Sequence, residues 1–202
     1  LADGPARDGR VRDALGPMLP GWLAGLGATC APPRRVPDTL DDLTAALDAC
    51  TGHLVVTTGS TARGPVDHLH AVLAARAATL AVDGVAVRPG HPMLLALLAD
   101  GRPLVGLPGN PLAAVSGLLT LGEPVLGALL GRRPARPSVR PLAEAVTGHP
   151  RDTRLVPLAG DRPVRHTGPA MLRGLVAADG MAVVPPGGVP AGAEVEVLPL
   201  PW

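Results

Sequence analysis

Two short stretches of this chain bring together residue types that hold anions. The first is Leu107-Pro108-Gly109-Asn110-Pro111, which contains the single asparagine of the 202 residues. Pro108-Gly109 suits a tight turn, since Pro fixes φ and Gly accepts positive φ. Asn110 is a strong helix N-cap and Pro111 fits the first helical position, where no N–H partner is required. A strand end, a turn and a capped helix start would aim backbone N–H groups at whatever lies above the strand, which favours an anion. The second stretch is Thr57-Thr58-Gly59-Ser60-Thr61-Ala62-Arg63-Gly64. Its glycines and hydroxyls allow the backbone amides to form an anion-binding concavity. Gly59 and Gly64 have the spacing of a Walker A loop, but Pro65-Val66 stands where Lys-Ser/Thr is required, and no GxGxxG is present.

Charged residues flank both stretches. Asp67 follows the Gly-rich loop and Asp38 opens an earlier helix. Each suits a helix cap or favourable first-turn charge, and each also suits a carboxylate holding Mg²⁺ against phosphate oxygens. Arg88 and His91, held by Pro89 and Pro92, are candidates for clamping an oxyanion, although a turn arginine also serves simply to face water. His68 and His70 lie two apart on a helix and make a poor metal pair.

The elements that position these residues follow from hydrophobic spacing. Helices are expected over 13–26 (weakened by Pro17 and Pro20), 38–49, 66–77 and, as a long apolar core helix, 112–130. Strands are expected over 28–31, 53–58, 80–87, 93–99 and 102–107, the last two joined as a hairpin across Asp100-Gly101. This alternation predicts an α/β fold: a mostly parallel sheet in three layers with helices on both faces. Ligands of such sheets bind beyond the carboxyl ends of the strands, where both anion-holding stretches fall. After Arg132-Arg133-Pro134 short strand-like runs (142–146, 154–158, 181–184, 195–198) alternate with Gly and Pro turns, plus one short helix over 170–177. The expected division is an α/β domain over residues 1–132 and a small β-rich domain over 133–202.

Composition narrows the function classes. The chain is 47% hydrophobic and 17% charged with net charge +1, and its two aromatic residues are Trp22 and Trp202. Broad nucleic-acid binding is therefore not expected, since basic excess and stacking platforms are both missing. Cys30 and Cys50 are too few for a disulfide framework and read as reduced thiols of a cytoplasmic protein. No signal peptide is visible, and the apolar run near 112–130 carries Glu123 and Pro124, so no membrane span is expected. The chain opens on Leu1 rather than Met, which suggests a piece of something longer.

Further landmarks carry a resemblance: Val36-Pro37-Asp38, the loop from Thr58 to Asp67, Val85-Ala86-Val87-Arg88-Pro89-Gly90-His91-Pro92, the Leu107–Pro111 turn, Met171-Leu172-Arg173-Gly174-Leu175 and Ala178-Asp179-Gly180-Met181-Ala182-Val183-Val184-Pro185. In order and spacing, from about Gly9 to Val197, the chain resembles the C-terminal half of the molybdopterin molybdotransferase family, the MoeA and gephyrin E-domain type. The resemblance implies a molybdopterin-binding α/β domain followed by the family's β-barrel-like domain. It also implies insertion of molybdate into adenylylated molybdopterin with Mg²⁺ and release of AMP. It carries catalytic and metal-holding roles to Asp38 and Asp67 and an oxyanion contact to Arg88. Ligand contacts fall on Thr58, Gly59, Ser60, Gly64, His91, Pro108, Gly109, Asn110 and Pro111. The expected partners are small pterin and oxyanion substrates, with a homodimer implied by the family.

The family's Ser-Gly-Gly-Val-Ser-Val-Gly-Glu reads Thr58-Gly59-Ser60-Thr61-Ala62-Arg63-Gly64-Pro65 here. The Ser usual after the LPGN motif reads Ala113, and Arg88 and His91 stand where Lys is usual. The strand and Gly-Asp-Glu motif that open the family's domain have no counterpart before Gly9. A fragment, or a shortened and partly degenerate paralogue, is therefore expected. A catalytically degenerate binding or scaffold module is the alternative function, and the related adenylyltransferase activity is disfavoured by the β-rich tail.

Overall fold

The structure is a computed structural model describing residues 11–64, 67–133 and 136–202. The polar lead-in over 1–10, where the resemblance begins, Pro65-Val66 and Pro134 at the expected domain boundary lie outside them. In chain order the first unit contains α1 (Leu15–Gly25), α2 (Leu40–Asp48), β1 (Val55–Thr58), α3 (Leu69–Ala75), β2 (Thr79–Asp83), β3 (Val87–Arg88), β4 (Leu94–Leu97), β5 (Pro103–Leu107), α4 (Pro111–Gly117) and α5 (Glu123–Leu129).

β5 is an inner strand of a four-stranded sheet ordered β1-β5-β4-β2. All five of its residues are buried, as its unbroken apolar run requires. Successive side chains point to opposite faces. Leu104 joins a core with Val55, Leu69, Val72 and Leu73 on the α2/α3 side. Val105 and Leu107 join a second core with Leu15, Trp22, Leu112 and Val115 on the α1/α4 side. Helices on both faces and the α/β class are thus as expected.

The pairing needs correction from "mostly parallel" to mixed. β1–β5 is parallel, whereas β5–β4 and β4–β2 are antiparallel. The reason is local: β4 and β5 are joined by the short Asp100-Gly101 turn, and two strands so joined must run oppositely. Gly101, at φ +83°, takes the left-handed conformation that turn needs.

Residues 28–31 form no strand. The run expected over 80–87 divides into β2 and the two-residue β3. The long helix is broken by a π-helical turn, Leu118–Gly122. Pro124 supplies the cause, having no N–H to donate back along the helix and a ring that crowds the preceding turn. The whole run 111–129 is long and apolar enough to cross a membrane by length and composition. Here Leu112, Val115, Leu118 and Leu126 are buried in the fold.

The second unit holds β6 (Ser138–Pro141), β7 (Val146–Thr147), β8 (Thr153–Ala159), β9 (Arg162–Pro163), β10 (Gly180–Val184), β11 (Gly188–Val189) and β12 (Glu194–Pro199). The strand expected over 142–146 is instead β6, which ends before it, and β7, which starts at its last residue. The helix expected over 170–177 is reduced to a 3-10 turn, Leu175–Ala177. One sheet runs β3-β8-β10-β12-β6, so β3 lends the first unit's backbone to the second unit's sheet. Its inner strands β8 and β10 are buried on both faces, whereas β12 alternates and β6 is largely exposed. Leu155 and Met181 reach the α1/α4 core, while Val156, Leu158, Ala182 and Val184 fill the β unit's own interior.

Candidate functional site

The strand registers place the loops of interest together. Thr57 pairs with Gly106, Gly106 with Leu94, and Leu94 with Asp83, which makes one row across all four strands of the first sheet. Since β1, β5 and β2 point the same way and β4 opposes them, three connections emerge on one edge of the sheet. They are the Gly-rich loop after β1, the Pro108–Pro111 turn after β5 and the 84–93 connection between β2 and β4. Two of them touch. The Gly59 N–H donates to the Leu107 carbonyl at 2.8 Å, and a Cβ on Gly109 would lie 3.5 Å from the Gly59 Cα.

The Gly-rich loop has an unusual backbone. Gly59 lies at φ +86° and Ser60 at φ +54°. Gly59 tolerates this freely, whereas a left-handed serine is uncommon and points to a constrained site. Among the described residues, the amides of Ser60, Thr61 and Ala62, like those of Gly109 and Asn110, donate to no protein acceptor. Thr57 Oγ1, below them, is buried without a hydrogen-bond partner. Thr57, Thr58, Gly59 and Ser60 line a cleft of about 60 Å³ with Asp38 and His68. Sites that enclose a drug-sized ligand have roughly 300–1,000 Å³, so a larger ligand would lie across this cleft with one group seated in it.

The acidic residues take positions that the sequence does not give. Thr39, not Asp38, caps α2, its Oγ1 accepting from the Asp42 N–H at 3.1 Å. Asp38 is exposed at the cleft. Asp67 is not a helix cap either, since His68 holds that position in α3. Its Oδ2 accepts from the Gly64 N–H at 2.8 Å and so closes the Gly-rich loop on itself. One carboxylate lines the cleft, and the other adjoins His68, which lines it too. Mg²⁺ is commonly held by one or two carboxylates plus ligand phosphates. The two aspartates suit that mode and not an all-protein cage, for no three His, Cys, Asp or Glu side chains gather among the described residues.

The Pro108–Pro111 turn departs from expectation. Gly109 is not among the glycines at positive φ. Asn110 occupies the N-cap position of α4, but its side chain makes no capping bond. The Leu112 and Ala113 N–H groups donate instead to the Pro169 carbonyl, at 2.9 and 3.4 Å. Both residues are buried, so a main-chain carbonyl of the second unit satisfies amides that water cannot reach. The helix start is therefore a closed end, and the free amides lie one step earlier, at Gly109 and Asn110.

Arg88 and His91 belong to the 84–93 connection. Arg88 Nε donates to Asp152 Oδ2 at 2.7 Å, with about half the arginine side chain exposed. The Arg88 guanidinium bond, with His149 and His91 nearby, holds the Asp152 carboxyl below its usual range. His91 Nδ1 lies 2.9 Å from the Val85 carbonyl, so that nitrogen carries the proton. Gly90 packs on α4, where a Cβ would meet Ser116 and Ala113 at 3.1 and 3.2 Å. The structure thus brings Thr58, Gly59, Ser60 and Asp38 into one cleft, with Gly109 beside it. Gly64 and Asp67 brace the loop, and Arg88 is turned toward the second unit. Sequence reasoning missed Asp83, Asp152 and Pro169. Only register and packing give them their places.

Residues 5–128 match the family described as "Probable molybdopterin binding domain", and residues 140–200 match "MoeA C-terminal region (domain IV)". The molybdopterin molybdenumtransferase of Staphylococcus aureus is 31% identical over 134 residues, 65% of this chain and 32% of that protein. The protein of that name from Staphylococcus epidermidis is 30% identical over 133 residues, with the same coverage. A molybdopterin biosynthesis MoeA protein of Pyrococcus horikoshii superposes with TM-score 0.80 at 25% identity, covering 98% of this chain and 50% of that one. A molybdenum cofactor biosynthesis protein of Pyrococcus furiosus gives TM-score 0.73 at 21% identity, covering 92% and 64%. The chain spans about a third of the length of these curated relatives (32%).

Proposed function

The chain belongs to the MoeA-type molybdopterin-binding family, and from that premise we propose that it serves molybdenum cofactor synthesis by inserting molybdate into adenylylated molybdopterin with release of AMP. The observation that carries this reading is the sheet edge itself. Free amides of the Gly-rich loop and of Gly109–Asn110 lie at the same sheet edge as a buried, unpartnered Thr57 hydroxyl. Such donors suit the phosphate of a pterin ester and need no reorganisation as charge develops. Thr58, Gly59, Ser60 and Gly64 would hold the phosphate from one side, and Pro108, Gly109, Asn110 and Pro111 from the other. Mg²⁺ held by Asp38 and Asp67 would neutralise charge on the phosphate oxygens. Arg88, through the guanidinium nitrogens that Asp152 does not take, would face the oxyanion, with His91 beside it. The division into residues 1–132 and 133–202, a homodimer and a cytoplasmic setting complete the proposal.

Asp67 permits a clean test, because its carboxylate also braces Gly64. Asp67→Asn keeps an acceptor for the Gly64 N–H and removes the charge; Asp67→Ala removes both. Both variants should lose Mg²⁺-dependent AMP release while Asp67→Asn keeps the wild-type fold. Unchanged turnover in Asp67→Asn would remove Asp67 from the mechanism.

A second reading, a binding or scaffold module without turnover, draws on two observations. Arg88 is already paired with Asp152, and the α4 amides are already taken by Pro169. Molybdopterin binding without AMP release from the adenylylated form would select it.

A further inference from the structure

The Gly-rich loop carries a cation of its own, and the fold provides that cation with a mount. Asp83 ends β2 on the same row as Thr57. Neighbouring strands lie about 4.8 Å apart, so the three intervals from β1 to β2 span roughly 14 Å. The loop that leaves β1 therefore arches past the ends of β5 and β4. It is pinned on the far side, where the Arg63 guanidinium pairs with Asp83 Oδ2. The other Asp83 oxygen lies 2.8 Å from His70 Nε2, on α3. His70 Nδ1 is buried without a partner. A proton there would be a stranded donor, so the ring donates from Nε2 and stands behind Asp83. That His70 bond is the foremost cause of a lowered Asp83 carboxyl pKa, with the Arg63 bond also lowering it.

The Arg63 side chain is 77% exposed although tethered. An ion pair so exposed contributes little to stability, and its clearer effect is on orientation. One guanidinium amino group is held by Asp83, and the remaining N–H groups are left to solvent on the same loop that carries the free amides of Ser60, Thr61 and Ala62. Arg88, by contrast, directs its Nε to Asp152.

We propose that Arg63 is a second anion-binding cation of this cradle, in addition to Arg88, and that Asp83, backed by His70, is a positioning residue that holds the Arg63 guanidinium where it forks onto a phosphate or molybdate oxyanion. The inference rests on the pterin reading above and adds a specificity-determining residue to it.

Calorimetric titration of the full chain with molybdopterin, and separately with molybdate, tests it. Arg63→Ala should weaken one of the two about tenfold or more, and the affected ligand identifies the oxyanion. Arg63→Lys, which keeps charge but not the fork, should fall between. Asp83→Asn should weaken the same ligand by roughly threefold to tenfold, and Arg63→Ala/Asp83→Asn should be no weaker than Arg63→Ala alone. That last result separates positioning through Arg63 from a general structural role. Arg63→Ala binding both ligands within about twofold of wild type, Asp83→Asn binding more tightly, or additive losses in the double variant would each overturn the proposal. Wild-type chain that binds neither ligand would overturn the pterin reading together with it. Wild-type binding beside an unaffected Arg63→Ala would overturn this inference alone.

Discussion

Replacing Thr57 by Val should make the chain more stable and less able to bind its ligand. Thr57 Oγ1 is buried with no hydrogen-bond partner, at the strand end beneath the Gly-rich loop. An unsatisfied buried polar group costs about 1–3 kcal/mol, and an apolar group of the same shape relieves that cost. For a chain of this size each kcal/mol shifts Tm by about 2–4 °C, so Thr57→Val should melt roughly 2–12 °C higher. On the proposed reading, a bound phosphate would accept a hydrogen bond from this hydroxyl, a bond that Val cannot make. Loss of one such bond to a charged acceptor should weaken molybdopterin binding by about 1.5–3 kcal/mol, or roughly tenfold or more. Thermal unfolding followed by tryptophan fluorescence gives the first quantity, and calorimetry with molybdopterin the second. A less stable Thr57→Val variant would refute the orphan hydroxyl. A more stable variant with unchanged affinity would show that the hydroxyl does not serve the ligand.

Other perturbations test the scaffold. A Cβ on Gly106 would meet Leu94 Cγ at 2.8 Å and Leu69 Cδ2 at 3.0 Å, all within the buried sheet. Gly106→Ala should therefore cost about 1–3 kcal/mol in urea unfolding, and a change below about 0.5 kcal/mol would contradict the packing of the Thr57–Asp83 row. Glu123 accepts from Trp22 Nε1 at 3.0 Å, and burial raises its carboxyl pKa despite that bond. A carboxyl whose folded pKa exceeds its unfolded one contributes stability below the unfolded pKa, and that contribution is lost as pH rises through the folded one. Glu123→Gln keeps an acceptor for Trp22 without the charge. It should be more stable than wild type at pH 7, with the gap closing on acidification. A gap that stays constant with pH would contradict this assignment.

Much of the fold is legible where one local rule decides. The Val-rich run into Thr58 and the buried run into Leu107 give strands, and Asp100-Gly101 gives the turn that fixes β4 against β5. What is not legible depends on distant backbone. β3 is two residues long, too short for any periodicity, yet it joins the second unit's sheet through Thr153 and Arg154. Asn110 looks like a helix cap, but a carbonyl some 60 residues later does that work through its contact with Leu112. The candidate site divides in the same way. Gly59 is recognisable because only a strand-to-helix turn explains it. The partners of Arg63, Arg88 and Asp67 follow from which strands lie side by side, which residue type alone does not encode.

On the proposed reading, ligand phosphate seats against the amides at the carboxyl end of the sheet. Titrating ¹⁵N-labelled chain with molybdopterin and following each amide resonance tests this directly. Saturable shifts should concentrate at Ser60, Thr61, Ala62, Gly109 and Asn110, with Leu112 and Ala113, held by Pro169, moving little. Saturable binding that shifts other amides and leaves these five unmoved would contradict it.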